Sequence, residues 1–266
     1  MYIAFKEFMT GQELSANTIS AYITGVRQFF EMYPALNKGA LLAYKKWLMG
    51  HYAAQTVNVR LRGAIKYAEF AGIPECEEVK SLKVPQRLDL ENVITREEFD
   101  RLSAGIRREN EKHYWIVQFL AKTGARVSEL IVLKRECLRT GYQDVFCKGK
   151  LRRVYIPDRL IRDSRVFFGS SPKRGALLFT NHSGEQYTRH GIKGILAHHG
   201  PKYGIRPAVL HPHSFRHFFA KQFLERTKDI SMLKDILGHA NINITAIYLQ
   251  ASGKEKRALL DEVVDW

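Results

Sequence analysis

The sequence predicts a mainly α protein with a small antiparallel sheet. It divides into a helical domain over residues 1–84, a linker over 85–93 and an α+β domain over 94–266. Three observations predict this. At about 150 residues per domain, a chain of 266 residues has room for two cores, and its 45% apolar content, with 15 Phe and 12 Tyr, can fill them. Apolar residues recur at helical spacing along most of the chain. One stretch breaks that spacing with two short alternating runs around Lys148-Gly149-Lys150, the mark of a hairpin.

The first helix begins at a cap, Ser15 or Asn17, and carries Ile19, Tyr22, Ile23, Val26 and Phe29–Phe30 on a helical repeat. A second covers about Gly39 to Leu48. A third runs from about Ala54 to Phe70, with Val57, Leu61, Ile65 and Ala68 on one face. Its other side offers Arg60, Arg62 and Lys66, either as ordinary solvated charge or as a stripe facing phosphates. The periodicity lapses over 80–93, which contains Pro85. Thr95 then caps a new helix, with Glu98 at the capping-box position. A further helix spans His113 to Thr123. The hairpin follows, with strands over Gln143–Cys147 and Arg152–Ile156. After Ser164 come a loop rich in Ser, Gly and Pro, an apolar run at Leu177–Phe179, and mostly helix to the end.

The formal net charge is +15, with 11 Lys/Arg against 7 Asp/Glu over residues 1–88 and 31 against 20 over 89–266. An excess of this size, concentrated in the second domain, points to a polyanionic partner, with nucleic acid first. Cys76, Cys137 and Cys147 form no C-x-x-C pair and read as reduced thiols of a cytoplasmic protein. A charged residue interrupts the first apolar run at Lys6, unlike a signal peptide, and no apolar stretch approaches the roughly 18 residues of a membrane span.

The residues suited to chemistry fall in four clusters, in the order Arg126, Lys148, His213 with Arg216, and His239 with Tyr248. Breaking a phosphodiester takes a nucleophile, stabilisation of a dianionic pentavalent phosphorus, and a proton for the departing oxygen. Arginine suits the second task because its planar fork grips two oxygens and stays charged. Arg126 follows Gly124 at a break between helices, and Glu129, three residues on, is placed to orient it. His213 and Arg216 share one helix face behind Pro212. His213 and His217, four apart, also have the spacing of a zinc pair, but the Glu of H-E-x-x-H is missing. Each residue has a bland alternative: a surface ion pair for an arginine, a satisfied helix-end residue for His239, a core tyrosine for Tyr248. The conjunction, in this order and at these separations, favours the clamp around a nucleophile.

The same residues resemble the tyrosine recombinases, the lambda-integrase family, and especially its compact Xer-like members. Thr123-Gly124-Ala125-Arg126-Val127-Ser128-Glu129-Leu130 is similar to the first arginine box, and Phe146 through Pro157 to the hairpin holding the lysine. His213-Ser214-Phe215-Arg216-His217 is similar to the H-x-x-R box, with Phe215 where leucine is usual. Leu237-Gly238-His239 and Tyr248 keep the nine-residue spacing of the last histidine and the nucleophile. The match covers about Ile94 to Gln250. The helical first domain is consistent with the family's core-binding domain.

The resemblance implies that Tyr248 attacks a phosphate of double-stranded DNA, forming a 3′-phosphotyrosine and releasing a 5′-hydroxyl. Arg126, Arg216 and His239 would stabilise the transition state, His213 would assist as base, and Lys148 would protonate the 5′-oxygen. Lys150, Arg152 and Arg153 beside Lys148 join Arg60, Arg62 and Lys66 as expected DNA-binding residues. No cofactor is implied, neither metal nor ATP, because the covalent bond conserves the energy for rejoining. The family acts as a tetramer on two DNA sites. The chain starts almost at its first domain, so no arm-binding domain is expected. The apolar stripe of Leu259, Leu260, Val263 and Val264 forms a tail helix that either folds back or docks in trans on a neighbouring protomer. Three rival readings remain: a non-cleaving DNA-binding protein of the same fold, a type IB topoisomerase, and a metal-dependent nuclease.

Overall fold

The computed structural model describes residues 1–83, 92–147, 150–169 and 175–238, with positions 257, 261 and 264; of Cys147 and Lys150 it describes the backbone alone. The expected linker over 84–91, the turn at Lys148-Gly149, His239, Tyr248 and nearly all of the tail lie outside the described residues. The chain forms two units, Met1–Arg87 and Leu88–Trp266.

The first unit is helical: α1 (Tyr2–Gly11), α2 (Ala16–Met32), α3 (Lys38–His51) and α4 (Ala54–Ala71). Ser15 caps α2 by accepting from the Thr18 amide, and Asn37 does the same for α3 at Ala40. α1 is not anticipated by the sequence reading, because no side chain caps its start; it is held by Phe5 and Met9, both fully buried. Phe5 packs edge-on to Tyr67, while Phe29, Leu41, Tyr44, Leu48 and Leu61 fill the adjoining core.

α2 and α4 meet at two glycines. A Cβ on Gly25 would lie 2.6 Å from the Arg60 carbonyl oxygen, and one on Gly63 would lie 2.6 Å from that of Tyr22. The two backbones therefore touch directly, and each glycine leaves room for the other helix. This contact also explains a correction. Arg60 does not share an outer stripe with Arg62 and Lys66: its backbone faces α2, and its guanidinium donates to Gln28 and lies 3.9 Å from the Tyr52 ring centroid.

The second unit opens with α5 (Arg96–Glu109) and α6 (Glu111–Thr123). Thr95 and Glu98 form the expected capping box on α5. Short helices α7 (Val127–Leu130) and α8 (Cys137–Thr140) lead to the antiparallel pair β1 (Tyr142–Cys147) and β2 (Lys150–Tyr155), in register Val145↔Arg152 and Cys147↔Lys150. Then come α9 (Asp158–Phe168), α10 (Arg189–His199), α11 (Pro212–Thr227) and α12 (Ile230–Leu237). α9 continues four residues beyond Ser164, where a loop is expected, because Ser164 and Phe168 are both buried. Leu178 and Phe179 are core residues reached by a single bridge, Lys134↔Leu177, rather than a strand.

Candidate active site

Three local features deliver the site. α6 ends on Gly124 at φ +61, a left-handed turn that favours glycine. A Cβ there would also meet Phe219 and Leu237, at 2.6 and 2.9 Å. The turn places Arg126 at the start of α7. α11 begins behind Pro212, with His211 accepting from the Ser214 amide at 3.1 Å. α12 ends on Gly238 at φ +62, again left-handed.

Glu129 is the hub. Only 1% of its side chain is exposed, yet it takes two guanidinium groups. Arg126 donates from its backbone amide at 2.7 Å and from Nη1 at 2.8 Å. Arg152 reaches the same carboxylate from β2 through Nη1. Burial pushes the Glu129 carboxyl up, but the bonds and charges of Arg152 and Arg126 outweigh it and hold its pKa below the usual value. Glu129 is therefore a fixed anion that keeps two arginines in place.

Three arginines converge on the end of α12. Arg152 Nη2 donates to the Ile236 carbonyl at 2.7 Å, Arg216 Nη2 to Leu237 at 2.6 Å, and Arg126 Nη2 more loosely to Gly238 at 3.4 Å. Arg216 Nη1 also donates to the Gly124 carbonyl at 2.7 Å. The last carbonyls of a helix lack intrahelical partners and form the negative end of its dipole, so cations there are favourable. The arrangement binds the first arginine box, the hairpin and the H-x-x-R helix to the three residues that precede His239.

His213 stands exposed on the first turn of α11, one turn from the buried Arg216. Desolvation by the surrounding protein, followed by the charges of Arg216, His211 and Arg126, lowers its pKa. His217 stacks near His213, ring centroids 6.2 Å apart, and its pKa falls to about 4, burial being the largest cause. Both imidazoles are thus held neutral near pH 7, and the fixed positive charge comes from guanidinium groups. Among the described residues no third His, Cys, Asp or Glu joins them in a group able to hold a metal ion. Ser214 Oγ, fully buried, accepts from the Ile94 amide at 2.8 Å and ties the start of this unit to α11.

Arg126, Glu129 and Arg216 are brought together, and His213 stands one turn from Arg216. Lys148, His239, Tyr248 and the Lys150 side chain lie outside the described residues. Arg152, expected on a DNA-facing surface, turns inward instead, its side chain 8% exposed. Alternation along β2 puts it on the core side with Val154, so the signal was present in the strand's period of two. Arg153 points outward, donates twice to Asp144 at 2.8 Å and lies 3.9 Å from the Tyr142 ring centroid. In the first unit Arg62 is exposed, while Lys66 pairs with Glu69 at 2.7 Å.

The profile of the phage integrase family matches residues 92–255. The chain is 30% identical over 268 residues to tyrosine recombinase XerA of Pyrococcus furiosus, covering 96% of this chain and 92% of that one. It is also 30% identical over 268 residues to tyrosine recombinase XerC of Roseiflexus sp., covering 89% and 84%. The solved structure of the Tn1549 transposon integrase in complex with circular intermediate DNA has the same fold, with a TM-score of 0.72 over 97% of each chain at 18% identity. No helix among the described residues is long and apolar enough to cross a membrane.

Proposed function

The chain belongs to the phage integrase family, and on that premise we propose that it is a site-specific tyrosine recombinase, cleaving and rejoining double-stranded DNA through a 3′-phosphotyrosine. The observation that carries this reading is the convergence of Arg126, Arg152 and Arg216 on the end of α12, the first two of them also held by the Glu129 carboxylate. Two of these guanidinium groups share the Glu129 carboxylate, and fixed cationic groups gathered at one point suit a transition state with two negative charges on phosphorus.

In this reading Tyr248 attacks the phosphorus, and the bond to the 5′-oxygen breaks. Arg126, Arg216 and His239 stabilise the charge on the non-bridging oxygens. His213, neutral near pH 7, assists in taking the tyrosine proton. Lys148 gives a proton to the departing 5′-oxygen. No metal or nucleotide is required, because the phosphotyrosine bond keeps the energy for religation. The exposed Arg62 and the outward Arg153 remain candidates for contact with the DNA backbone, as do Lys66 and Lys150.

We extend the proposal to assembly: a tetramer on two DNA sites, linked by the tail helix docking in trans, acting in the cytoplasm on the nucleoid. Loss of tetramers on DNA after deletion of residues 254–266 is the expected result; their persistence would remove the tail from the assembly.

The direct test uses a suicide DNA substrate, nicked so that the cut strand cannot be rejoined. The wild-type protein is expected to form a covalent protein–DNA adduct in the presence of EDTA, and Tyr248→Phe to form none. An adduct that survived the Tyr248→Phe change would overturn the assignment.

A further inference from the structure

Arg152 is placed to do more than fill the core. Along the hairpin, Val154 and Ile156 are buried and fix its base against the body of the second unit, and Val145 is buried opposite Arg152. Val145↔Arg152 is the last inward pair with described side chains before the turn, and only Cys147↔Lys150 stands between it and Lys148-Gly149. The outward pair at this end, Phe146↔Leu151, is solvent-exposed, 77% and 70%, and gives the hairpin no grip on the protein. Beside the buried Val145, the Arg152 guanidinium supplies the polar grip at this end. One nitrogen is bonded to Glu129 and another to the Ile236 carbonyl at 2.7 Å. Gly238 leaves the space it needs, since a Cβ there would lie 2.5 Å from Arg152 Cδ.

From this geometry we infer that Arg152 is a positioning residue for the proton donor: by holding Glu129 and Ile236 together, it fixes the hairpin end that carries Lys148 against the arginine box and the end of α12. The inference rests on the reading of Lys148 as the acid. A buried ion pair adds little net stability over an apolar packing. Its two-pronged geometry, by contrast, fixes orientation, which a single apolar contact does not.

Cleavage breaks the bond from phosphorus to the 5′-oxygen, and that oxygen needs a proton. If sulfur replaces the bridging 5′-oxygen, the group departs as a thiolate and needs none. A variant that has lost only proton donation is therefore restored on the sulfur substrate, whereas a variant that has lost charge stabilisation or folding is not.

The experiment measures single-turnover adduct formation by the full chain on oxygen- and sulfur-bridged suicide substrates, for wild type, Arg152→Gln, Arg152→Lys, Lys148→Ala and Arg126→Ala. Arg152→Gln is expected to be slower than wild type by on the order of 10-fold or more on the oxygen substrate and to approach wild type on sulfur. Arg152→Lys keeps a charge for Glu129 but cannot span to Ile236, so it is expected to show a smaller defect with the same restoration. Arg126→Ala is expected to stay slow on both substrates. Equal slowing of both Arg152 variants on the two substrates, or wild-type rates for Arg152→Lys on oxygen, would overturn the role of Arg152. Lys148→Ala separates the two readings: its failure to recover on sulfur would remove Lys148 as the acid, whereas its recovery without that of Arg152→Gln would remove the Arg152 inference alone.

Discussion

Arg216 and Leu237 are joined by a 2.6 Å hydrogen bond from a buried guanidinium nitrogen to the last carbonyl of α12. The second nitrogen of the same fork holds the Gly124 carbonyl at the end of α6, so one side chain joins two helix ends. Arg126 differs: 28% of its side chain is exposed, and its contact with Gly238 is longer, at 3.4 Å.

The two arginines are therefore expected to fail differently. Arg216→Ala leaves two carbonyls without their donor and is expected to cost roughly 2–4 kcal/mol of stability. Arg126→Ala leaves Glu129 bonded to Arg152 and to the backbone amide of residue 126, and is expected to cost less, about 1–2 kcal/mol of stability. Both are expected to slow adduct formation by on the order of 10² or more, since each removes charge from the transition state. Urea denaturation read beside single-turnover cleavage separates the cases, and equal stability losses would contradict the difference in burial.

Glu129→Gln is expected to weaken the site from below. The amide leaves two guanidinium groups without their anion, and breaking a buried ion pair costs about 3–5 kcal/mol. Its wild-type pKa lies below the usual 4.5, so the stabilisation is complete above pH 4.5 and is lost as pH falls through the lower folded-state value. The substitution should accordingly reduce the acid-side slope of stability against pH. Urea midpoints between about pH 3 and 7 for both proteins check this, and parallel curves would refute it.

A second pH effect arises away from this site. His113 Nδ1 lies 2.9 Å from His199 Nε2, and burial, then the charge of His199, lowers the pKa of His113 to about 4 from 6.5. The unfolded chain binds this proton first, so stability is full above pH 6.5 and declines as pH falls towards 4. His113→Gln is expected to flatten that decline by on the order of 2 kcal/mol, visible as a shallower change in thermal midpoint between pH 7 and pH 4.5.

The sequence makes the order of the chemical residues legible because their types and separations are constrained by one reaction. The same holds for Thr95, Pro212, Gly124 and Gly238, whose local chemistry acts within a turn of the chain. What it hides depends on partners far away in sequence. Arg60 is drawn to Gln28 and Tyr52, and Arg152 to Glu129 and Ile236. A basic residue on an amphipathic element reads as solvated charge until its partner is known. α1 is hidden for the opposite reason: it carries no cap, and Phe5 and Met9 gain their burial from other helices.

In the first unit, Gly25→Ala and Gly63→Ala are each expected to destabilise by about 1–3 kcal/mol, because the added methyl meets backbone rather than a movable side chain. Thermal denaturation of the full chain checks this, and an unchanged midpoint would show that the helices can part without cost. The double substitution is expected to cost less than the sum of the two, since the first methyl already separates the helices that the second would meet.

That crossing has a consequence for how the protein can be altered. Arg62 and Lys66 ride on α4, and their distance from the residues of α2 is set where no side chain exists at all. Charges on the outer surface can be exchanged one at a time, each with a local effect. A single methyl group at the crossing would shift every one of them together, so the reach of this unit can change through a substitution that never touches solvent or ligand.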